Sequence, residues 1–372
     1  MKFSCEKAIL QAAVTTAGRA VAAKSSIQAL EGVLIEAGDG SLSVSGYNLE
    51  TGIITSVSAD VPEGGAIVLS ARLFGEILRR MPDDVVSIAV DGCSVHIQCG
   101  PTSFDIMGSS DEDFPELPRV DDGRGLGISQ DSLRSMIGQT AFAVSDNDSR
   151  PIHTGVLFEA EQGQLTMVAV DGYRLALRRE KLLSQDGEGK LSFVVPGAAL
   201  REVEKICADS DEPVAITQGS RHVTFEIGST LLVARRLEGE FLNYRQTIPQ
   251  NNSIVLEAEA ADLQRSIDRA SLIINDKLKS PLRCKFDDGV LSITSRTAMG
   301  SAFDVCPISG DGKGLEIGFN NRFLMDAVKA APAQRVRLEL NTATSPCLVL
   351  PQKDKPDNFL YMVLPVRLRA AE

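Results

Sequence analysis

The side chains able to do chemistry are few and dispersed. The three histidines, His96, His153 and His222, lie far apart, with no H-x-x-x-H or H-x-E spacing. A histidine metal site or catalytic triad is therefore not expected. The seven cysteines, at positions 5, 93, 99, 207, 284, 306 and 347, include no C-x-x-C pair. An odd number in a long chain argues against a disulfide framework and for small buried hydrophobes. Two acidic runs, residues 109–113 and the trio Asp146, Asn147 and Asp148, offer oxygen ligands for a hard cation. Neither has the ligand order, central glycine and terminal glutamate of a calcium loop, so a solvated loop is expected at each. Residues 310–314 imitate a phosphate-binding loop but lack the hydroxyl residue after Lys313, and a hairpin or connector turn is expected there. There is no G-x-S-x-G elbow. No catalytic group, metal or cofactor is expected from this inventory.

Two patterns are more informative. Asp171 and Gly172 follow an alternating apolar run and read as a hairpin turn that can present Tyr173 and Arg174 at the edge of a groove. The second pattern is positive charge on helical segments. Arg19 and Lys24, then Arg72, Arg79 and Arg80, then Arg134, Arg201 and Lys205, Arg265 and Arg269, and Arg322 and Lys329 fall on or beside six predicted helices. Acidic residues are expected mainly in loops and at strand edges. One basic side chain is an ordinary solvated group, but a set shared by every helix suits a polyanion held through its phosphates, without base readout.

The elements that would carry these residues repeat along the chain. Alternating strands at 41–47, 164–170 and 290–296 each follow a turn containing Gly40, Gly163 or Gly289, with shifts of 123 and 126 residues between Leu42, Leu165 and Leu291. In phase with them, short strands ending at Ser70, Pro196 and Asn320 open helical patterns at 73–80, 199–206 and 322–329. Further alternating runs follow at 85–90, 213–217 and 335–340, and earlier helices are expected at 6–21, 130–143 and 260–274. Each block thus reads strand, helix, strands, helix, strands. The fold class is α+β, with three repeated domains at 1–122, 126–249 and 252–372, each two helices packed on antiparallel sheets. Similar domains can dock through similar edges and close a ring.

Composition sets the outer limits. The chain has 372 residues, 43% apolar and 24% charged, and a net charge of −12. It is too long for one ordinary core, and it is too acidic for a simple nucleic-acid coat unless basic residues are gathered on one surface. No stretch approaches ~18 uninterrupted apolar residues, and the first residues lack the layout of a signal peptide, so a cytoplasmic location is expected.

The start Met1, Lys2, Phe3, the triplicated blocks, the 171–175 turn, residues 240–245 and the ending 361–368 together resemble the beta subunit of bacterial DNA polymerase III, the sliding clamp. The resemblance covers essentially the whole chain. It implies a head-to-tail homodimer forming a six-domain ring, helices lining the hole, and no catalysis. It implies double-stranded DNA as an encircled partner, and the replicative polymerase, the clamp loader and other motif-bearing proteins as docking partners. By position, it implies a peptide pocket of Val170, Gly172, Tyr173, Arg174, Leu175, Leu242, Asn320, Phe323, Pro346, Met362, Val363, Leu364, Pro365, Val366 and Arg367, with His153 as a polar edge. Arg174 and Arg367 would engage peptide backbone or acidic groups. Lys24, Asn147 and Arg150 would face DNA beside the helix cations. Phe104 and Ile106 would meet Leu272 and Ile273 across the dimer contact. The chain departs from the family pattern at His153, where an apolar residue is common. It departs also at Gln246 and Thr247, which replace a basic and an apolar residue, at Pro151 and Ile152, which replace aromatics, and in a tail at 369–372 beside the cleft.

Two other readings predict different behaviour. A nuclease with a carboxylate metal site at Asp111, Glu112 and Asp113 would bind a divalent ion tightly and lose activity in Asp111→Asn. A repeat scaffold without a DNA role would be indifferent to charge reversal at Arg72, Arg201 and Arg265.

Overall fold

The computed structural model describes all residues except 148, 188, 275–279 and 369–372. Its helices are α1 Lys7–Ala17, α2 Ala71–Arg80, α3 Gln130–Gly138, α4 Gly197–Ile206, α5 Tyr244–Thr247, α6 Ala260–Ser271 and α7 Asn321–Ala330. None is long and apolar enough to cross a membrane. The strand–helix–strands–helix–strands order recurs three times, as the repeats require.

The chain gathers into two compact units. The first comprises Met1–Arg134, Leu182–Glu188 and Ala198–Arg236. It holds a five-stranded sheet ordered Asp60–Glu63, Lys2–Glu6, Val85–Asp91, Ser94–Cys99, Thr102–Met107. It also holds a nine-stranded sheet running from Ser184–Gln185 through the second repeat's Thr230–Arg235 to the first repeat's Thr51–Ser58 and on to Gly65–Ser70. α1 and α2 fill the core between the strands: Leu10 and Val14 of α1 and Phe74 and Leu78 of α2 share one cluster with Phe3, Ile35, Val44, Val86 and Ile97. Burying each such side chain contributes roughly 2 kcal/mol. The approach is close enough that a Cβ on Gly46 would lie 2.1 Å from the carbonyl oxygen of Ala17.

The second unit comprises Ser135–Lys181, Gly189–Gly197 and Leu237–Glu372. Its ten-stranded sheet runs from Leu191–Pro196 through Gly155–Glu161, Gln164–Val170 and Arg174–Lys181 into the third repeat's Phe359–Val363, and ends at Gly300–Phe319 and Leu282–Thr297.

Both units therefore join two repeats by an antiparallel strand pair. In the first, Thr51–Ser58 pairs with Thr230–Arg235, sealed by a buried hydrogen bond of 2.9 Å between the hydroxyls of Thr55 and Thr230. In the second, Arg174–Lys181 pairs with Phe359–Val363. The first repeat's counterpart of Thr230–Arg235 and Phe359–Val363 is Thr102–Met107, and that strand ends its sheet with one side open.

Two expectations need correction. The first helix of each repeat is shorter than its apolar pattern: α1 stops at Ala17, α3 at Gly138 and α6 at Ser271. Beyond α3 the Thr140 hydroxyl bonds back to the carbonyl of Met136, and at the end of α6 the Ser271 hydroxyl bonds back to Ile267. Such bonds compete with continuation of the helix. Residues 310–314 are not a connector. They lie within the single strand Gly300–Phe319, where Gly310, Lys313 and Gly314 have positive φ and the pairing to Leu282–Thr297 shifts register, as at a bulge.

Candidate functional site

The site in the second unit begins at the turn after Gln164–Val170. The Asp171 carboxylate accepts the backbone N–H groups of Tyr173 (2.9 Å) and Arg174 (3.1 Å), and Gly172 takes the positive φ of +89° that the turn demands. This fixes the start of Arg174–Lys181, whose register sets Arg174 opposite Val363 and Leu175 opposite Met362. The Leu364 N–H then donates to the carbonyl of Tyr173 (2.9 Å) and the Val366 N–H to that of Gly318 (2.7 Å), so the chain from Met362 to Val366 is fastened to the turn at one end and to the strand before α7 at the other.

Charge in this corner is committed. Arg174 donates from Nε to Asp171 (2.8 Å) and from Nη1 to Asp326 of α7 (2.5 Å), and its guanidinium lies 4.4 Å from the Phe323 ring centroid and 5.5 Å from that of Phe142. Only 12% of its side chain is exposed. Two carboxylates, Asp171 and Asp326, thus fix its Nε and Nη1 within the chain. Tyr173 is exposed and stacks on Phe323 with centroids 6.1 Å apart. The Asn320 side chain caps α7 by accepting from the N–H groups of Arg322 and Phe323.

The floor is apolar. Leu175 and Met362 belong to one cluster with Leu157, Val168, Leu177, Tyr244 and Leu348, and Phe241 and Ile152 pack against it. Val170 and Val363 are buried, Pro346, Leu364 and Pro365 half-buried, and Leu242, Val366 and Arg367 exposed. His153 lies edge-on to Phe241 at 5.6 Å, and burial, followed by the Arg150 charge, lowers its pKa. Contacts thus bring Tyr173, Arg174, Phe323 and Asn320 together, and Leu175 and Met362 together; Pro346 and Arg367 are placed only by their strand and segment.

Sequence reasoning missed Asp326 and a buried carboxylate beneath the cluster. Glu159 accepts from the Tyr244 hydroxyl (2.6 Å) and from Arg245 Nη2 (2.6 Å), and pairs with Lys190. Burial alone would raise its pKa, but the Arg245, Lys190 and Tyr244 donors outweigh it and hold the carboxyl below its ordinary range. The signal was an acid, Glu159, in the apolar stretch of the strand Gly155–Glu161, whose other acid stands at its exposed end.

The helix cations divide into two sets, because the few acids that do lie on helices pair with some of them. Arg79 and Arg80 pair with Glu76, Lys205 and Arg19 with Glu202, and Arg265 with Asp262, all acids on helices. Arg269 grips Asp304 through both Nε and Nη2. Among the described helix cations, Lys24, Arg72, Arg134, Arg201 and Lys329 are exposed with no ion pair within 4 Å. Arg72 and Arg79 also line a groove of about 1180 Å³ between α1 and α2, with Glu31 and Glu76 beside them. Asn147 and Arg150 are exposed in the loop after α3; Asp148 is outside the described residues.

Of the expected dimer residues, Leu272 at the end of α6 is 79% exposed and Phe104 is exposed on Thr102–Met107. Ile106 is half-buried against the first unit's own core, and Ile273 is half-buried. Exposed Met107 on the same edge strand, and Phe303 and Val305 flanking Asp304, were not anticipated. The acidic run at Asp111–Asp113 forms a short exposed turn, and among the described residues no group of three or more His, Cys, Asp or Glu is arranged to hold a metal.

Sequence models of the DNA polymerase III beta subunit match the chain in three parts: the N-terminal domain at residues 1–118, the central domain at 127–243 and the C-terminal domain at 245–367. The beta sliding clamp of Synechococcus elongatus is 30% identical over the whole of both chains, and that of Bacillus subtilis is 29% identical over 99% of this chain and all of its own. Among solved structures, a putative DNA polymerase III beta subunit from Eubacterium rectale superposes with a TM-score of 0.92 at 33% identity, covering 98% of this chain and 99% of its own. The Bacillus subtilis DNA polymerase sliding clamp gives 0.92 at 29% identity, over 99% and 100%.

Proposed function

Because the chain belongs to the DNA polymerase III beta-subunit family, the sliding clamps, we propose that it is a non-catalytic processivity factor that encircles duplex DNA and tethers the replicative polymerase. The observation that carries this reading is the match of three consecutive clamp-domain models along nearly the full length. The repeats at 1–122, 126–249 and 252–372 are the three clamp domains, and a head-to-tail homodimer closes the ring of six.

Two of the three kinds of repeat-to-repeat joint are strand pairs inside the chain, and the open edge of Thr102–Met107 is the third repeat's missing partner strand. Exposed Phe104 and Met107 on that edge, and Leu272, Phe303 and Val305 on the third repeat, supply the apolar surface a subunit contact requires, with half-buried Ile106 and Ile273 beside them. Lys24, Arg72, Arg134 and Arg201 are the cations freest to meet phosphates, with Asn147 and Arg150; Arg79, Arg80, Lys205 and Arg265 act after exchanging a helix carboxylate for a phosphate. Weak, equivalent contacts hold the duplex without stopping sliding.

The site in the second unit is the docking cleft for a short apolar motif of the polymerase, the clamp loader and other partners. Leu175 and Met362 make its floor. Tyr173, Arg174, Leu242, Phe323 and Val366 make its walls, with His153, Asn320, Pro346 and Arg367 on the rim. Tethering raises the polymerase's effective concentration at the primer end.

Retention on nicked circular DNA, after loading by the cognate loader with ATP, tests the mechanism. A topological link survives on the circle and is lost on a single linearising cut. Equal retention on circular and linear DNA that simply falls with salt would refute it.

A further inference from the structure

The segment that carries Leu242 has little structure of its own. α5 is four residues long, too short to hold itself in water, and its internal support is a bond from the Thr247 hydroxyl to the Tyr244 carbonyl (2.8 Å), one from the Tyr244 N–H to the Leu242 carbonyl (2.7 Å) and one from the Gln246 N–H to the Asn243 carbonyl (3.2 Å). Its conformation must be imposed from outside. Glu159 does this. Its carboxylate is buried, fixed by the register of Gly155–Glu161 between Thr166 and Ser192, and it receives donors from two successive residues of the segment, the Tyr244 hydroxyl and the Arg245 guanidinium. Arg245 in turn lies 4.6 Å from the Tyr244 ring centroid, and that ring is 2% exposed in the same cluster as Leu175 and Met362. Lys190 supplies the second positive charge, so the buried carboxylate is compensated without drawing on the cleft's own groups.

We propose that Glu159 is a positioning residue for the docking cleft, fixing the segment 241–247 so that Leu242 stands as its wall. This rests on the cleft reading above. Glu159 touches no bound partner; it acts through Tyr244, Arg245 and then Leu242.

The test is a double-mutant cycle on the full-length dimer, titrated with a short fluorescein-labelled peptide from the cognate polymerase that carries the apolar motif. Glu159→Gln, which keeps shape but removes charge, should weaken peptide binding by about tenfold. Tyr244→Phe, which removes only the hydroxyl, should weaken it by roughly threefold and keeps the test alive if Glu159→Gln folds poorly. In a Leu242→Ala background, neither change should weaken binding further, while sedimentation as a dimer stays the same throughout. Wild-type affinity in both variants, or losses that simply add to that of Leu242→Ala, would overturn the proposal. No binding by the unaltered protein would instead sink the cleft reading, and the proposal with it.

Discussion

Arg174 and Arg265 each lie three residues after an aspartate and pair with it, yet 12% of the first side chain meets solvent and 62% of the second. In the cleft, the pair with Asp171 is joined by Asp326 and by the faces of Phe323 and Phe142, so the guanidinium has one place to be. On α6, the pair with Asp262 is one of several arrangements available to two solvated side chains. The same spacing in sequence therefore produces a rigid structural post in one region and a loosely compensated charge in the other. Burial of the partners decides which, because a charge removed from water must be met by fixed partners, whereas an exposed one is met by solvent and salt.

Removing each arginine is the strongest way to break this comparison. Arg174→Ala leaves Asp171 and Asp326 facing each other without a cation in a half-buried corner, and should cost roughly 3 kcal/mol of stability. Arg265→Ala should change stability by less than about 0.5 kcal/mol. Denaturant unfolding of both variants reads the difference directly. Similar midpoints would mean that the cleft pair is as dispensable as the helix pair. Arg174→Ala should also lose affinity for a motif peptide, since Phe323, on which Tyr173 stacks, loses the cation beside it.

How much of this was legible follows the same division. The strands at 41–47 and 164–170 were readable to the residue, because alternation and a turn glycine are local signals. The caps at Ser70 and Asn320 were readable for the same reason. The Asp171 turn and the adjacency of Leu175 to Met362 came partly from turn chemistry and partly from family resemblance. Helix ends were overrun at 130–143 because Thr140 bonds to its own backbone, which an apolar pattern does not reveal. Residues 310–314 looked like a connector because glycines mark both turns and bulges, and only the partner strand separates the two. Asp326 and Glu159 were missed because each acts on a residue distant in sequence, and nothing in a single chain's order names that partner. The helix cations were all visible, but Asp304 as the partner of Arg269 was not, being 35 positions away.

The dimer surface sharpens the contrast for apolar residues. Leu263 and Leu272 belong to α6 and its C-terminal cap, at 1% and 79% exposure. Leu263 is spent on the core, whereas Leu272 contributes only once a partner covers it. Leu272→Ala should weaken dimerisation by roughly 2 kcal/mol, or about thirtyfold, with unchanged unfolding of the dissociated chain. Sedimentation velocity across a dilution series measures it, and an unaltered dissociation constant would remove Leu272 from the interface. Asp304, between exposed Phe303 and Val305, has its carboxyl held down to about 2, first by the Arg269 hydrogen bonds. A depressed carboxyl stabilises above its unfolded value and loses that contribution as pH falls towards the folded one. The Arg269 contact should therefore be fully present above about pH 4 and fade only towards pH 2.

The smallest effect concerns DNA, where paired and unpaired cations can be compared at equal charge. Arg72→Gln with Arg201→Gln removes two positive charges that have no partner among the described residues, and Arg79→Gln with Arg265→Gln removes two that face Glu76 and Asp262. Net charge changes identically, so long-range attraction falls equally in both. A direct phosphate contact differs: a paired arginine must first surrender its carboxylate, which offsets part of the gain from releasing a counterion. The logarithmic salt dependence of binding to a short duplex should therefore lose about one unit of slope per residue for Arg72 and Arg201, and a fraction of that for Arg79 and Arg265. Equal losses would show that only total charge matters and that the helix carboxylates do not tune the grip. A larger loss for the paired set would place those arginines, and not Arg72 and Arg201, against the phosphates.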